Sequence, residues 1–129
     1  MYKEIIISII IIVIIVSFDF VLQKYTNDSI EEISGEISKL ENDIRENRLD
    51  AKQIEQQTEQ VYEKWMGYHE KLVYYIEHDE LEKVETNFIA GKSFIKSKKY
   101  SDAMSELEKT SFVLTHIKEK YLFSLENIF

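Results

Sequence analysis

The stretch IIISIIIIVIIVSFDFVL, residues 5–22, is apolar at every position except Ser8, Ser17 and Asp19. Its length as a helix is ~27 Å, which nearly matches the ~30 Å hydrocarbon core of a bilayer. Residues 17–20 are too bulky for a signal-peptidase site, and the chain has no cysteine for lipid attachment. The sequence therefore predicts a retained signal anchor over residues 1–23, with a membrane span that includes Ile5, Ile10, Val16 and Leu22.

The flanking charges and the short N-terminal tail predict how this anchor is oriented. Lys3 and the N-terminal amine lie on one side of the span and Lys24 on the other. A short tail ahead of an anchor usually stays inside, so we expect a single-pass protein of the cell membrane with a cytoplasmic N-terminus. Residues 24–129 would then form an extracytoplasmic domain. The span carries no small-xxx-small pattern, so a homo-oligomer is not indicated.

The composition favours long helices and argues against binding to nucleic acid. Proline is absent, glycine occurs three times, and the net charge is −8. A chain with so few helix breakers is typical of uninterrupted helices. A nucleic-acid binder needs clustered Lys and Arg to neutralise phosphates, and an acidic chain of this kind does not supply them.

Apolar residues after the anchor recur at helical spacing. Ile30, Ile33, Ile37, Leu40 and Ile44 are separated by three or four residues and form one stripe. Similar stripes predict three further helices, one over about 51–77, one from about 80, and one after the polar turn at 96–102. We expect an all-α fold, in which the N-terminal transmembrane helix continues into an antiparallel up-down-up-down four-helix bundle. The predicted core contains Ile37, Leu40, Ile54, Val61, Trp65, Leu72, Leu81, Phe88, Leu107 and Leu114.

Local signals mark the helix boundaries. Asp50 followed by Gln53 predicts a capping box at the start of the second helix. Asp79 with Glu82 predicts an acidic cap for the third helix, and Ser101 or Asp102 a cap for the fourth. Gly91 falls on the core stripe of the third helix, which indicates a close approach by a neighbouring helix.

The number of passes predicts which residues lie near the bilayer. Four alternating helices return the chain to its point of departure, so the turn between the second and third helices and the C-terminal segment should both be membrane-proximal. Aromatic side chains are common at membrane–water interfaces. The predicted membrane-proximal surface consists of Tyr74, Tyr121, Phe123 and Phe129.

No motif in the sequence predicts catalysis. The histidines at 69, 78 and 116 do not form a His-Glu-x-x-His or Glu-x-x-His pattern, and no thiol or phosphate-binding loop is present. The run Glu77-His-Asp-Glu80 could form a metal or pH-sensing cluster, although a helix end followed by an acidic helix start explains it more simply. We therefore expect no enzyme activity, no cofactor and no catalytic, cofactor-binding or metal-ligating residue.

Several short motifs in the C-terminal half resemble the bacterial family called domain of unknown function 4363. They are Trp65, Tyr75-Ile-Glu-His-Asp-Glu-Leu81, Lys92-Ser-Phe-Ile95, Ala103-Met-Ser-Glu-Leu-Glu108 and Ser124-Leu-Glu-Asn-Ile-Phe129. The resemblance implies a short, single-span, membrane-anchored helical protein. The family has no established activity, so the resemblance implies an architecture and no function.

These observations favour a non-enzymatic, membrane-anchored helical protein. Its expected partners are the lipid bilayer, through the N-terminal span, and a membrane or cell-envelope protein. The alternative is an extracytoplasmic bundle that senses a small ligand or signal and acts through a separate partner protein.

Overall fold

The structure, a computed structural model, describes residues 1–74 and 76–126, with the side chains of residues 122–126 left out of the description. Within these residues the protein is all-helical, as predicted, and contains no strand. The four helices are α1 (Tyr2–Arg45), α2 (Ala51–Leu72), α3 (His78–Lys96) and α4 (Tyr100–Glu126).

Helix α1 has two parts that differ in their surroundings. It runs for 44 residues without a break, which corresponds to ~66 Å of helix. Every side chain over residues 1–21 is exposed, and the first buried side chain is that of Thr26. We call residues 2–21 the arm, the end of the bundle from which the arm emerges the arm end, and the opposite end the far end.

The remainder of α1 forms a bundle with the other three helices. It packs against α2 on one side and α4 on the other, and α3 completes the ring by packing against both α2 and α4. Among the described residues the helices on opposite corners, α1 with α3 and α2 with α4, do not contact each other. This is the arrangement expected of an up-down-up-down bundle, in which each helix is antiparallel to its neighbours in sequence.

The interior of the bundle is built from the apolar stripes. All ten predicted core residues are less than 9% exposed, and Ile37, Leu40, Leu72, Leu81, Phe88, Leu107 and Leu114 are fully buried. The largest interface joins α3 and α4. Gly91 belongs to it, since a methyl group added there would lie 3.5 Å from Leu107 Cδ2. The close helix approach that Gly91 predicts is therefore present.

The two turns at the far end are built in the same way. The backbone N–H of Arg48 donates to the Asp43 carbonyl at 3.0 Å, and the N–H of Lys99 donates to the Phe94 carbonyl at 2.9 Å. These are the six-to-one bonds of Schellman motifs, which satisfy the last carbonyls of α1 and α3. Each motif places one residue in the left-handed region, Asn47 with φ 53° and Lys98 with φ 58°.

The predicted capping box is confirmed, whereas several helix ends differ from prediction. Asp50 accepts from the Gln53 backbone N–H, and Gln53 accepts from the Asp50 backbone N–H. Helix α2 ends at Leu72 and not near 77, because the chain turns there and the N–H of Tyr74 bonds to the Lys71 carbonyl, only three residues back.

The predicted caps of α3 and α4 are wrong. Helix α3 starts at His78 with Glu77 as its N-cap and no side-chain capping bond, so Asp79 lies inside the first turn. Helix α4 already begins at Tyr100, which places Ser101 and Asp102 in its first turn.

Trp65 should contribute more to stability than any exposed aromatic residue. Its side chain is 1% exposed, and its indole N–H has no acceptor in the described part of the chain, so packing alone stabilises it. We expect Trp65→Ala to lower the free energy of unfolding by about 3–5 kcal/mol, the usual cost of emptying a large aromatic site. Phe112→Ala is the control, because Phe112 is 74% exposed and should change that free energy by less than about 0.5 kcal/mol. Denaturant unfolding of the full chain in detergent would measure both, and equal effects would contradict the assigned core.

The carboxyl of Glu41 should make stability depend on pH. Burial raises the pKa of Glu41, the negative charge of Glu108 on α4 raises it further, and Arg45 opposes both effects. A carboxyl with a raised pKa binds its proton more tightly in the folded state, so its charged form destabilises the fold at neutral pH. Glu41→Gln should therefore raise the melting temperature at neutral pH, and this gain should disappear in acid, where Glu41 is protonated. Glu55→Gln makes the same charge change at an exposed site on α2, and an equal gain from it would contradict the prediction.

Candidate functional site

At the arm end, Tyr121 near the end of α4 joins the middle of α1 to the turn before α3. The Gln23 side-chain amide of α1 donates to the Tyr121 backbone carbonyl. The backbone N–H of Glu77, just before α3, donates to the Tyr121 hydroxyl at 3.0 Å. The end of α4 and the α2–α3 turn therefore lie level with residue 23 of α1, as the even number of passes requires.

A second group of contacts joins α1 to α2 at the same end. The rings of Tyr25 and Tyr68 meet edge to face, with 6.0 Å between centroids, and Lys71 Nζ lies 5.6 Å from the Tyr25 centroid. The Tyr68 hydroxyl donates to the Glu32 carboxylate, which raises the pKa of Tyr68 to about 12 and lowers the pKa of Glu32. This bond joins α1 to α2 at the arm end.

Beside these contacts lies an open groove, which we call the arm-end groove. Its volume is about 510 Å³, and its walls are mainly apolar. Helix α1, the end of α2 and the turn that follows it supply the lining, which consists of Phe18, Val21, Leu22, Tyr25, Lys71 and Tyr74. Among the described residues, Lys71 is the single charged member of that lining. The groove thus connects the exposed apolar arm with the first turns of the bundle.

The structure places the predicted surface and span residues as follows. Tyr74 is 86% exposed at the arm end, and Tyr121 is partly buried there. The side chain of Phe123 and all of Phe129 lie outside the described residues. Of the span residues, Ile5, Ile10 and Val16 are exposed on the arm, and Leu22 is partly buried where the arm meets the bundle. By length and composition, α1 is able to cross a membrane.

The acidic run at 77–80 has a cation from α4 as its partner. Lys120 Nζ lies 3.2 Å from Glu77 Oε1 and 3.5 Å from Glu80 Oε1, and the hydrogen bond to Glu77 raises the pKa of Lys120. His116 Nε2 is 3.7 Å from the same oxygen of Glu80. Glu80 is 8% exposed, so the Lys120 ammonium compensates a buried carboxylate at the start of α3. Among the described residues, no three His, Asp or Glu side chains are grouped as metal ligands.

The outer surface of α3 and α4 carries two exposed bulky apolar residues. Phe112 of α4 is 74% exposed and Ile89 of α3 is 48% exposed. Ile89 does not belong to the same surface as Phe112. It lies on the side of α3 that carries Glu85 and Lys92, which contact Tyr62 and Glu59 of α2, whereas Asn87 and Gly91 lie on the side that faces α4. A shallow groove of about 390 Å³ runs beside Phe112, and its lining includes the polar residues Asn87, Glu108 and Lys109. We call the surface around Phe112 the α3–α4 face.

Neither the α3–α4 face nor the arm-end groove was predicted from the sequence, and the reasons differ. The α3–α4 face was detectable, because Phe112 lies off the apolar stripe of α4 that contains Leu107 and Leu114. The arm-end groove was not, because it depends on which residues of α2 lie beside Phe18 and Tyr25.

One family model matches most of the chain. The family described as domain of unknown function (DUF4363) matches residues 20–128, a range that contains the whole bundle and leaves out most of the arm. No curated protein and no solved structure matches the chain.

Proposed function

The chain belongs to the DUF4363 family, and from this premise we propose that it is a membrane-anchored, non-enzymatic helical protein that binds a membrane or cell-envelope protein. Residues 1–23 would be the anchor, with a cytoplasmic N-terminus, and residues 24–129 the extracytoplasmic binding domain. The family match begins at residue 20, close to this boundary, which supports treating the arm and the bundle as separate functional parts.

The observation that carries the proposal is the exposure of the arm. Its aliphatic side chains from Ile5 to Ile15 are each more than half exposed, and in the part of the chain that the structure describes no second helix covers them. A contiguous apolar surface of this length is rarely left in water and marks contact with a membrane or a protein. The apolar stretch over residues 5–22 is ~27 Å long as a helix, a length that suits a bilayer. A single helix can span the bilayer because it satisfies its own backbone hydrogen bonds.

The α3–α4 face is the surface we assign to the partner. The exposed aromatic ring of Phe112, with Asn87, Glu108 and Lys109 around it, has the composition of a small interface centre with a polar rim. Phe112 lies nine residues before Tyr121 on α4, so it stands about 14 Å from the arm end. At that height the face is within reach of a partner that is itself bound to the membrane.

The anchoring is tested by single-cysteine labelling, which the cysteine-free chain allows. In intact cells, a membrane-impermeant maleimide should label Lys52→Cys on the bundle, whereas Lys3→Cys should react only after lysis. The protein should also stay in the membrane pellet after alkaline carbonate extraction. Labelling of Lys3→Cys alone in intact cells would reverse the orientation, and release by carbonate would contradict the anchor.

The partner face is tested by photo-crosslinking in native membranes. A benzophenone amino acid at position 112 should give one discrete adduct, and Lys109→Glu, which reverses the charge of an exposed residue in the same groove, should reduce the yield of that adduct several-fold. The same amino acid at position 55, exposed on α2, is the matched control and should not give this adduct. Equal adducts from both positions, or none from 112, would contradict the assignment.

A further inference from the structure

We propose that the arm-end groove binds one anionic phospholipid of the outer leaflet, with an acyl chain along the groove and the lipid phosphate at Lys71. This inference rests on the proposed anchoring and not on the proposed partner. It concerns a site on the other side of the bundle from the α3–α4 face, between α1 and α2.

The lining matches an acyl chain in chemistry and direction. Phe18, Val21 and Leu22 form a continuous apolar wall that starts on the arm. An acyl chain that leaves the hydrocarbon core beside the arm would lie along this wall without crossing a polar layer. The volume of about 510 Å³ also falls in the range of ~300–1,000 Å³ that is typical of small-ligand sites.

The level of Lys71 matches the phosphate layer. If Leu22 ends the hydrocarbon span, Tyr25 lies about 4.5 Å further out along α1. The headgroup layer extends roughly 5–8 Å beyond the hydrocarbon on each side of a bilayer, so Tyr25 falls within it. Lys71 Nζ stands 5.6 Å from the centroid of the Tyr25 ring, and a side chain at this distance can reach the same layer.

Lys71 is available for such an anion. It makes no salt bridge to any carboxylate whose side chain the structure describes, whereas Lys64, Lys92, Lys118 and Lys120 all do. A lysine near an anionic lipid surface gains from the lipid charge, and it binds phosphate as a compact point charge. Because the chain carries a net charge of −8, attraction to anionic lipid at this place must be local.

A lipid fits the groove better than a second transmembrane helix. Helix pairs in membranes approach through Gly, Ala and Ser. Here the walls are made by bulky residues, Phe18 and Leu22 from α1 and Tyr74 from the turn after α2. Such walls leave an irregular space that suits a flexible chain. The two tyrosines at the rim are side chains that favour the membrane interface.

The test compares lysine variants of the full chain in nanodiscs of phosphatidylcholine with a minority of phosphatidylglycerol. Native mass spectrometry after release from the nanodisc counts the phosphatidylglycerol retained per protein. We expect one retained lipid in the wild type and about fivefold lower retention in Lys71→Gln, the ratio that corresponds to the ~1 kcal/mol gained by a lysine at an anionic surface. Lys52→Gln removes the same charge at the far end of α2 and should retain lipid as the wild type does.

A second variant tests the apolar wall independently. Phe18→Asn should lower the retention of phosphatidylglycerol and phosphatidylcholine alike, because it changes the acyl-chain contact and not the charge. Circular dichroism should show unchanged helix content for Lys71→Gln and Phe18→Asn, since both residues are exposed. Equal retention by Lys71→Gln and Lys52→Gln, or a lipid-free dimer in the spectra, would overturn the lipid site while leaving the anchor intact. Failure of the carbonate and labelling experiments would instead overturn the anchor.

Discussion

The whole architecture depends on the continuity of α1. A single helix without proline supplies both the exposed arm and one wall of the bundle. The other three helices pack along the continuation of the arm, so the arm and the bundle share one axis. The change between the two parts occurs over about one and a half turns, between Val21, which is exposed, and Thr26, which is buried. Over these residues the side chains change from apolar on all sides to a single stripe. The groove, the tyrosine contacts and Lys71 all lie at this transition.

The features that could be predicted from the sequence are those set within one or two helical turns. The spacing of Ile30, Ile33 and Ile37 identifies a buried stripe, because a helix places residues three and four apart on one face. The Asp50–Gln53 capping box was predictable for the same reason, since both partners lie within four residues. Membership of the DUF4363 family was also predictable, since the resembling motifs are read directly from the chain.

The features that could not be predicted depend on which residues meet across helices or on a turn without a sequence signal. Apolar residues continue past Leu72, so periodicity extends α2 too far, although the chain turns there. Lys98 adopts a left-handed conformation that glycine or asparagine usually occupies, and no local signal marks it. The Tyr68–Glu32 bond and the Glu80–Lys120 pair join residues 36 and 40 positions apart, and only the three-dimensional arrangement brings them together.

The position of Tyr121 beside Gln23 has a mechanical consequence. Because α4 ends where the bundle part of α1 begins, a force that separated these two points would not slide the helices past one another along their length. It would peel α4 from α1 one turn at a time, starting at the arm end. Each turn would give way before the next was loaded, so the bundle should open at low force from this end. The same helices pulled from opposite ends would have to shear their whole interface at once, and they would resist a much higher force.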